Sequence, residues 1–155
     1  MRRTSPAKIA IATFDSEKDI WSKKYWDKWH HSLDSHVIPT LRSKQGHTEI
    51  GAPPIKTKYG WLIIYSYIKD YYNESKRVFG IEALLLDLKN PLKVIGKTDK
   101  PMITPQKNYE LNGKIPNIVF PSGAILKKYG LRVYYGASDN TCCVAVGSLE
   151  DLVEN

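Results

Sequence analysis

The side chains best placed to do chemistry in this chain are a handful of charged groups set beside strand-like runs. Lys56 comes shortly after Pro53 and Pro54, whose rings stiffen the backbone and remove two ladder donors, so its ammonium is presented from a fixed turn. A compact lysine charge suits an oxyanion, and Arg77, in the stretch Ser75-Lys76-Arg77, offers a planar fork for the same task. Glu49, Glu110 in NYELNG and Asp139 in YYGASDN are carboxylates. An ionised carboxylate can accept hydrogen bonds from two vicinal hydroxyls at once, which is what holding a sugar requires. A carboxylate pair about 6.5 to 9.5 Å apart can also be an inverting acid and base, a separation that no sequence states. Asp139 has an ordinary alternative as well, because Ser-Asp-Asn after a strand is turn chemistry.

Other chemistries find little support. His30, His31, His36 and His47 lack metal-ligand spacing, and no P-loop, dinucleotide fingerprint, nucleophile elbow or HExxH motif occurs. Cys142 and Cys143 are adjacent, so on a strand they point to opposite faces and are expected to stay reduced. The net charge of +7 is spread along the chain without a run of four basic residues, which argues against a nucleic-acid footprint. No apolar window approaches the ~20 residues of a membrane span, and Ser5, Pro6 and Lys8 interrupt any leader-like run after Met1, so a cytoplasmic location is expected.

The elements that must position these residues are mostly strands. Four Trp, ten Tyr and three Phe lean towards pleated surfaces, where rings pack well. Ala7 to Ile20, Val78 to Leu88 and Thr141 to Leu152 share a pattern of a short apolar strand with a small central residue and an Asp-hydrophobic ending. KYG occurs at 58–60 and 128–130, each time before a β-rich run, WLIIYSY and LRVYYGA. The unit reads as strand, turn, strand, polar loop, strand, which suits the blades of a radially repeated sheet. An all-β chain of about two and a half blades is expected, residues 1–155 forming one partial domain. Asp19 to Trp29, with its three Trp, is expected to be a blade edge rather than a helix.

Four ordered segments then resemble a known family. IGAPPIKT with GWLIIY, LLLDLKNPLKVIGKTDKPMITP, NYELNGKIPNIVFPSGAIL and YYGASDNTCCVAV are similar to the C-terminal half of glycoside hydrolase family 130. The match covers 49–155 well and 1–48 only as a blade remnant. The resemblance implies a five-bladed β-propeller that cleaves β-mannosidic bonds by inverting phosphorolysis or hydrolysis. It implies β-mannoside oligosaccharides as substrate, no cofactor, and inorganic phosphate as a possible co-substrate. The family's general acid, an Asp, lies in an earlier blade, so no catalytic residue is assigned here and a second chain supplying the missing blades is a possible partner. The alternative is a non-catalytic glycan-binding or assembly half-propeller.

By the same resemblance Glu110 and Asp139 hold sugar hydroxyls and Lys56 contacts phosphate; beside them Glu49 could orient Lys56 or accept from sugar hydroxyls, Asn117 is expected to bind substrate, and Arg77 and Ser66 are expected at the phosphate or water site. Asn117, Ser122 and Gly123 are expected near the central channel. Ser66 and Phe79 stand where phosphorylase members usually carry His and Tyr, which removes donors suited to phosphate and favours water as nucleophile. Tyr65, Tyr67, Tyr71 and Tyr72 could offer a stacking face, but alternation sends half of them to the other side.

Overall fold

The computed structural model of the chain describes residues 6–128 and 130–154. Strands β1 (His47–Ile50), β2 (Ile55–Lys56), β3 (Trp61–Lys69), β4 (Val78–Leu86) and β5 (Val94–Lys97) form one antiparallel sheet. Strands β6 (Val119–Lys127), β7 (Gly130–Ala137) and β8 (Thr141–Gly147) form a second. In the first sheet β1 and β2 lie one after the other along the same edge of β3, with Pro53 and Pro54 in the gap, since proline cannot donate to the ladder. β3 and β4 pair along their full length, Trp61 opposite Leu86 and Lys69 opposite Val78.

The run WLIIYSYI is apolar on both faces because β3 is covered on both. Leu62 and Ile64, with Ile81, Ala83 and Leu85 of β4, pack against Val119, Leu131, Val133, Tyr135 and Ala137 of the second sheet. Ile63, Tyr65 and Tyr67, with Leu84 and Leu86, pack instead on Ile38, Ile9 and Ile11 of the N-terminal segment. Tyr65 and Tyr67 are therefore core residues, while Tyr71 is half-buried and Tyr72 exposed.

The repeated KYG has a steric cause. Gly60 lies against the carbonyl of Leu86 and Gly130 against that of Gly147, in each case at the far end of the neighbouring strand, and a Cβ would strike that oxygen. A side chain there would push the hairpin apart.

Two expectations for the first 48 residues are corrected. Ala7 to Ile20 is not a strand: Ala10 makes an isolated bridge to Val37, fixed by Ile11 N–His36 O (2.9 Å) and Ile38 N–Ile9 O (3.0 Å). The chain then turns into a short 3-10 helix at Glu17–Trp21, whose cap Ser16 accepts from Lys18 N. The Trp-rich stretch is helical, α1 spanning Lys23–His31 with the Ser22 hydroxyl accepting from Tyr25 N (3.2 Å). Trp26 and Trp29, one turn apart, share a face with Phe14 and Tyr25 in an aromatic cluster, whereas Trp21 falls outside the stripe and stays 87% exposed. Their indole N–H groups tie the helix down, Trp26 to Ile20 O and Trp29 to Ile11 O. Two short helices, α2 (Asn108–Leu111) and α3 (Leu149–Glu154), complete the chain. Among the described residues no helix is long and apolar enough to cross a membrane.

Candidate functional site

The register of the first sheet brings together residues far apart in sequence. Glu49 of β1 is opposite Ser66 of β3, which is opposite Ile81 of β4. Phe79 sits opposite Ile68, so Glu49, Ser66 and Phe79 lie on the face that meets the second sheet. Phe79 N donates to Asn117 O (3.3 Å), and the next residue, Ile118, accepts from Ser138 N at 3.0 Å. Asn117, Ser138 and Asp139 all have positive φ, of 60°, 47° and 54°. The turn Ala137–Asn140, closed by Asn140 N–Ala137 O, thus has the left-handed central pair that a tight hairpin turn needs. Phe79 and Asn117 thus meet through the main chain where the end of the β3–β4 hairpin reaches the loops of the second sheet, Asp139 follows in the adjoining turn, and Glu49 and Ser66 lie on the same face of the first sheet, two residues further along β3.

Glu49 is held by a neighbour that the sequence reading set aside. His47 Nδ1 accepts from Ala7 N (3.0 Å), so the neutral ring carries its proton on Nε2, which faces Glu49 Oε1 at 3.3 Å. The imidazole is stacked on Tyr71, centroids 3.8 Å apart at 6°. Arg77 in turn lies over Tyr71 and over Phe79, at 5.9 and 5.7 Å from the ring centroids. Among the described residues no carboxylate lies within ion-pair distance of Arg77. The His-x-Glu spacing, which puts both side chains on one face of a strand, was the signal that could have found this pair.

Glu110 departs from its expected role. Its carboxylate is buried and bonded to the protein through both oxygens: Oε2 accepts from Gln106 N and Lys107 N, both at 2.8 Å, and Oε1 accepts from Tyr135 Oη at 2.8 Å. Its own carbonyl accepts from Ser138 Oγ at 2.5 Å. Burial pushes its pKa up, but the main-chain donors and Tyr135 outweigh that and hold it below the usual range. Glu110 thus braces the loop that leads to Asn117 and, through its carbonyl, the Ser138–Asp139 turn.

The anion or water trio is also not one site. Lys56 is exposed on β2 opposite Trp61, its Nζ 5.8 Å from that ring. Arg77 precedes Val78, which pairs with Lys69 at the other end of the hairpin. At ~3.3 Å per residue those ends are roughly 26 Å apart, beyond what two side chains around one phosphate can span. Ser66 is fully buried between them, its hydroxyl directed at Gly80 O (3.5 Å). Ser122 is exposed with its hydroxyl on Tyr134 O, beside the bulge between Pro121 and Gly123. Among the described residues no group of three potential metal ligands occurs.

Comparison with known proteins places this geometry. Residues 29–155 match the family described as beta-1,4-mannooligosaccharide phosphorylase, glycoside hydrolase family 130. A 1,2-beta-oligomannan phosphorylase of Thermoanaerobacter sp. (strain X514) is 41% identical over 140 residues, which is 86% of this chain and 44% of that protein. A beta-1,4-mannooligosaccharide phosphorylase of Ruminococcus albus is 31% identical over 84% of this chain and 38% of its own length. The structure of a beta-1,2-mannobiose phosphorylase from Listeria innocua with beta-1,2-mannobiose superposes with a TM-score of 0.66 at 31% identity, covering 76% of this chain and 33% of that one. The chain thus spans less than half the length of these relatives. It belongs to glycoside hydrolase family 130, and its two sheets are blades of that family's five-bladed β-propeller.

Proposed function

We propose that this chain is the sugar-gripping C-terminal part of an enzyme that cleaves β-mannosidic bonds with inversion, by phosphorolysis or hydrolysis. The observation that carries the reading is the main-chain link from Phe79 to Asn117 beside the Ser138–Asp139 turn, with Arg77 over the Phe79 ring and Glu49 on the same face of the first sheet. Carboxylates accept from sugar hydroxyls, the Asn117 amide both donates and accepts, and the guanidinium between two rings presents its N–H edges to a ligand oxygen. Relatives named for phosphorolysis of mannobiose and mannooligosaccharides support β-mannosides as substrate and phosphate as co-substrate. The general acid belongs to blades upstream of the matched region, joined to this one in the same polypeptide or supplied by a second chain.

Kinetics on β-1,2-mannobiose, with and without phosphate, test the reading in the protein completed by those blades. Replacing Asp139 or Glu49 by Ala should lower kcat/KM by roughly 10- to 100-fold, the loss of one charge-assisted hydrogen bond. The buried Ser66 hydroxyl and the apolar Phe79 offer phosphate little, so phosphate stimulation should be weak. Variants equal to the parent, or no mannobiose cleavage at all, would overturn the assignment.

A further inference from the structure

Arg42 commits its guanidinium to the protein, with Nε on Glu82 and Nη2 on Thr98 O. Arg77 differs. It is half-buried, yet among the described residues its guanidinium donates no hydrogen bond and meets no carboxylate within ion-pair distance. Every buried side-chain nitrogen or oxygen of the described residues has a partner, so the unbonded nitrogens of Arg77 are ones that solvent reaches.

The fork is nevertheless held in place. Arg77 N and Lys76 N both donate to Asn73 O, at 2.8 and 3.0 Å, which fixes the backbone of the hairpin loop at 70–77. The two rings under the guanidinium are fixed as well: Tyr71 by its stack on His47 and by Tyr71 N–Gln45 O (3.0 Å), Phe79 by its main-chain bond to Asn117 O. A planar cation lying over aromatic faces keeps its N–H edge free for a planar acceptor. Phe79 ties this fork to Asn117, and the Ser138–Asp139 turn follows through Ile118 O.

The surroundings select the kind of anion. Within the hairpin loop Asp70 and Glu74 balance Lys76 and Arg77, Lys56 lies at the far end of β3, the Ser66 hydroxyl is buried, and Phe79 has no hydroxyl. A phosphate dianion calls for several cations or donors converging on it, whereas one unpaired guanidinium matches one carboxylate bidentately. We propose that Arg77 recognises a carboxylate carried by the glycan itself, so that the ligand of this site is an acidic β-mannoside bearing a uronate group. This rests on the sugar-binding reading of Asn117 and Asp139 and adds the charged substituent to it. Arg77 then selects acidic over neutral sugars.

Amide NMR of the 155-residue chain tests this with methyl β-mannuronoside, methyl β-mannoside and inorganic phosphate as probes. The uronoside should bind about 10- to 100-fold more tightly than the neutral sugar, the worth of one charge-assisted pair, and shift the amides of Asn117 and Asp139. Arg77→Met should remove that preference. Arg77→Lys, which keeps the charge without the fork, should remove most of it and decides the matter if the first variant fails to fold. Equal affinity for the two sugars, or a preference that survives both variants, overturns the proposal and leaves the sugar site standing. Phosphate that displaces the uronoside from the same amides through Arg77 gives the fork to the co-substrate and overturns it too. If no sugar shifts either amide, the proposal and the sugar-binding reading fall together. An Arg77-dependent uronoside complex, in a completed protein that cleaves no β-mannoside, keeps the proposal and sinks the cleavage reading instead.

Discussion

Tyr65 and Tyr135 each stand five residues beyond the glycine of a KYG motif, and each donates its hydroxyl to a buried glutamate. Tyr65 reaches Glu82 Oε2 at 2.6 Å, while Arg42 Nε meets Glu82 Oε1 at 2.8 Å and its Nη2 donates to Thr98 O. Burial, then the glutamate acceptor, pushes the pKa of both tyrosines far up, so each remains a donor. Glu82 is fully buried, and stripping it of its cation should be costly: Arg42→Met is expected to destabilise the chain by about 3 kcal/mol in urea unfolding. Arg42→Met with Glu82→Met should recover much of that loss, because no buried charge is then left unpaired. A double variant as unstable as the single one would show that the pair matters through packing and not charge. Glu110 gives a pH test. Its folded pKa is depressed, so its contribution is fully present above the ordinary Glu range and is lost as pH falls through the folded value. The stability gap between parent and Glu110→Gln should therefore be about 2–3 kcal/mol at pH 7 and shrink in acid. A gap constant down to pH 3 would contradict the network described for this carboxylate.

The two sheets meet closely at Gly51, in the break between β1 and β2, where a Cβ would collide with the carbonyl and ring of Pro121. Gly51→Ala should cost about 1–3 kcal/mol by overpacking, whereas Gly136→Ala, with nothing near its Cβ position, should cost far less. Equal melting temperatures for the two variants would mean that the sheets can slide apart freely. Elements of this kind were legible wherever period and punctuation agreed. β3, β4, β7 and β8 follow from apolar runs bounded by KYG and by turns, and Pro53-Pro54 marks the interruption of the edge strand. Helix α1 was missed because its stripe is made only of aromatics, Trp26 and Trp29 with Tyr25, on a segment otherwise polar. For the candidate site the sequence offered residue types and not their surroundings: Glu110 looks like Glu49 and Asp139 in sequence and is distinguished only by donors arriving from Gln106, Lys107 and Tyr135. Glu82 had a visible signal, a lone charge in the apolar run VFGIEALLL, which calls for a buried partner.

At the scale of the molecule, stability should be graded from the first sheet to the second. β3 and β4 are covered on both faces, by the N-terminal segment on one and by the second sheet on the other. β8 is an edge strand that among the described residues bonds only to β7, and its outward residues Val144 and Val146 are half or more exposed. Local opening needs the loss of few apolar contacts at such an edge, whereas opening β3 breaks two packed interfaces and three ladders. Native-state hydrogen exchange should accordingly rank β3 and β4 as the slowest amides, with protection approaching the global unfolding free energy. β8 should exchange through a smaller opening that leaves the first sheet intact. Arg42→Met, acting between the N-terminal segment and β4, should lower protection in β3 and β4 while leaving the β8 opening unchanged. Uniform exchange across all eight strands would instead describe one cooperative unit, in which the uncovered face of the second sheet carries no local weakness.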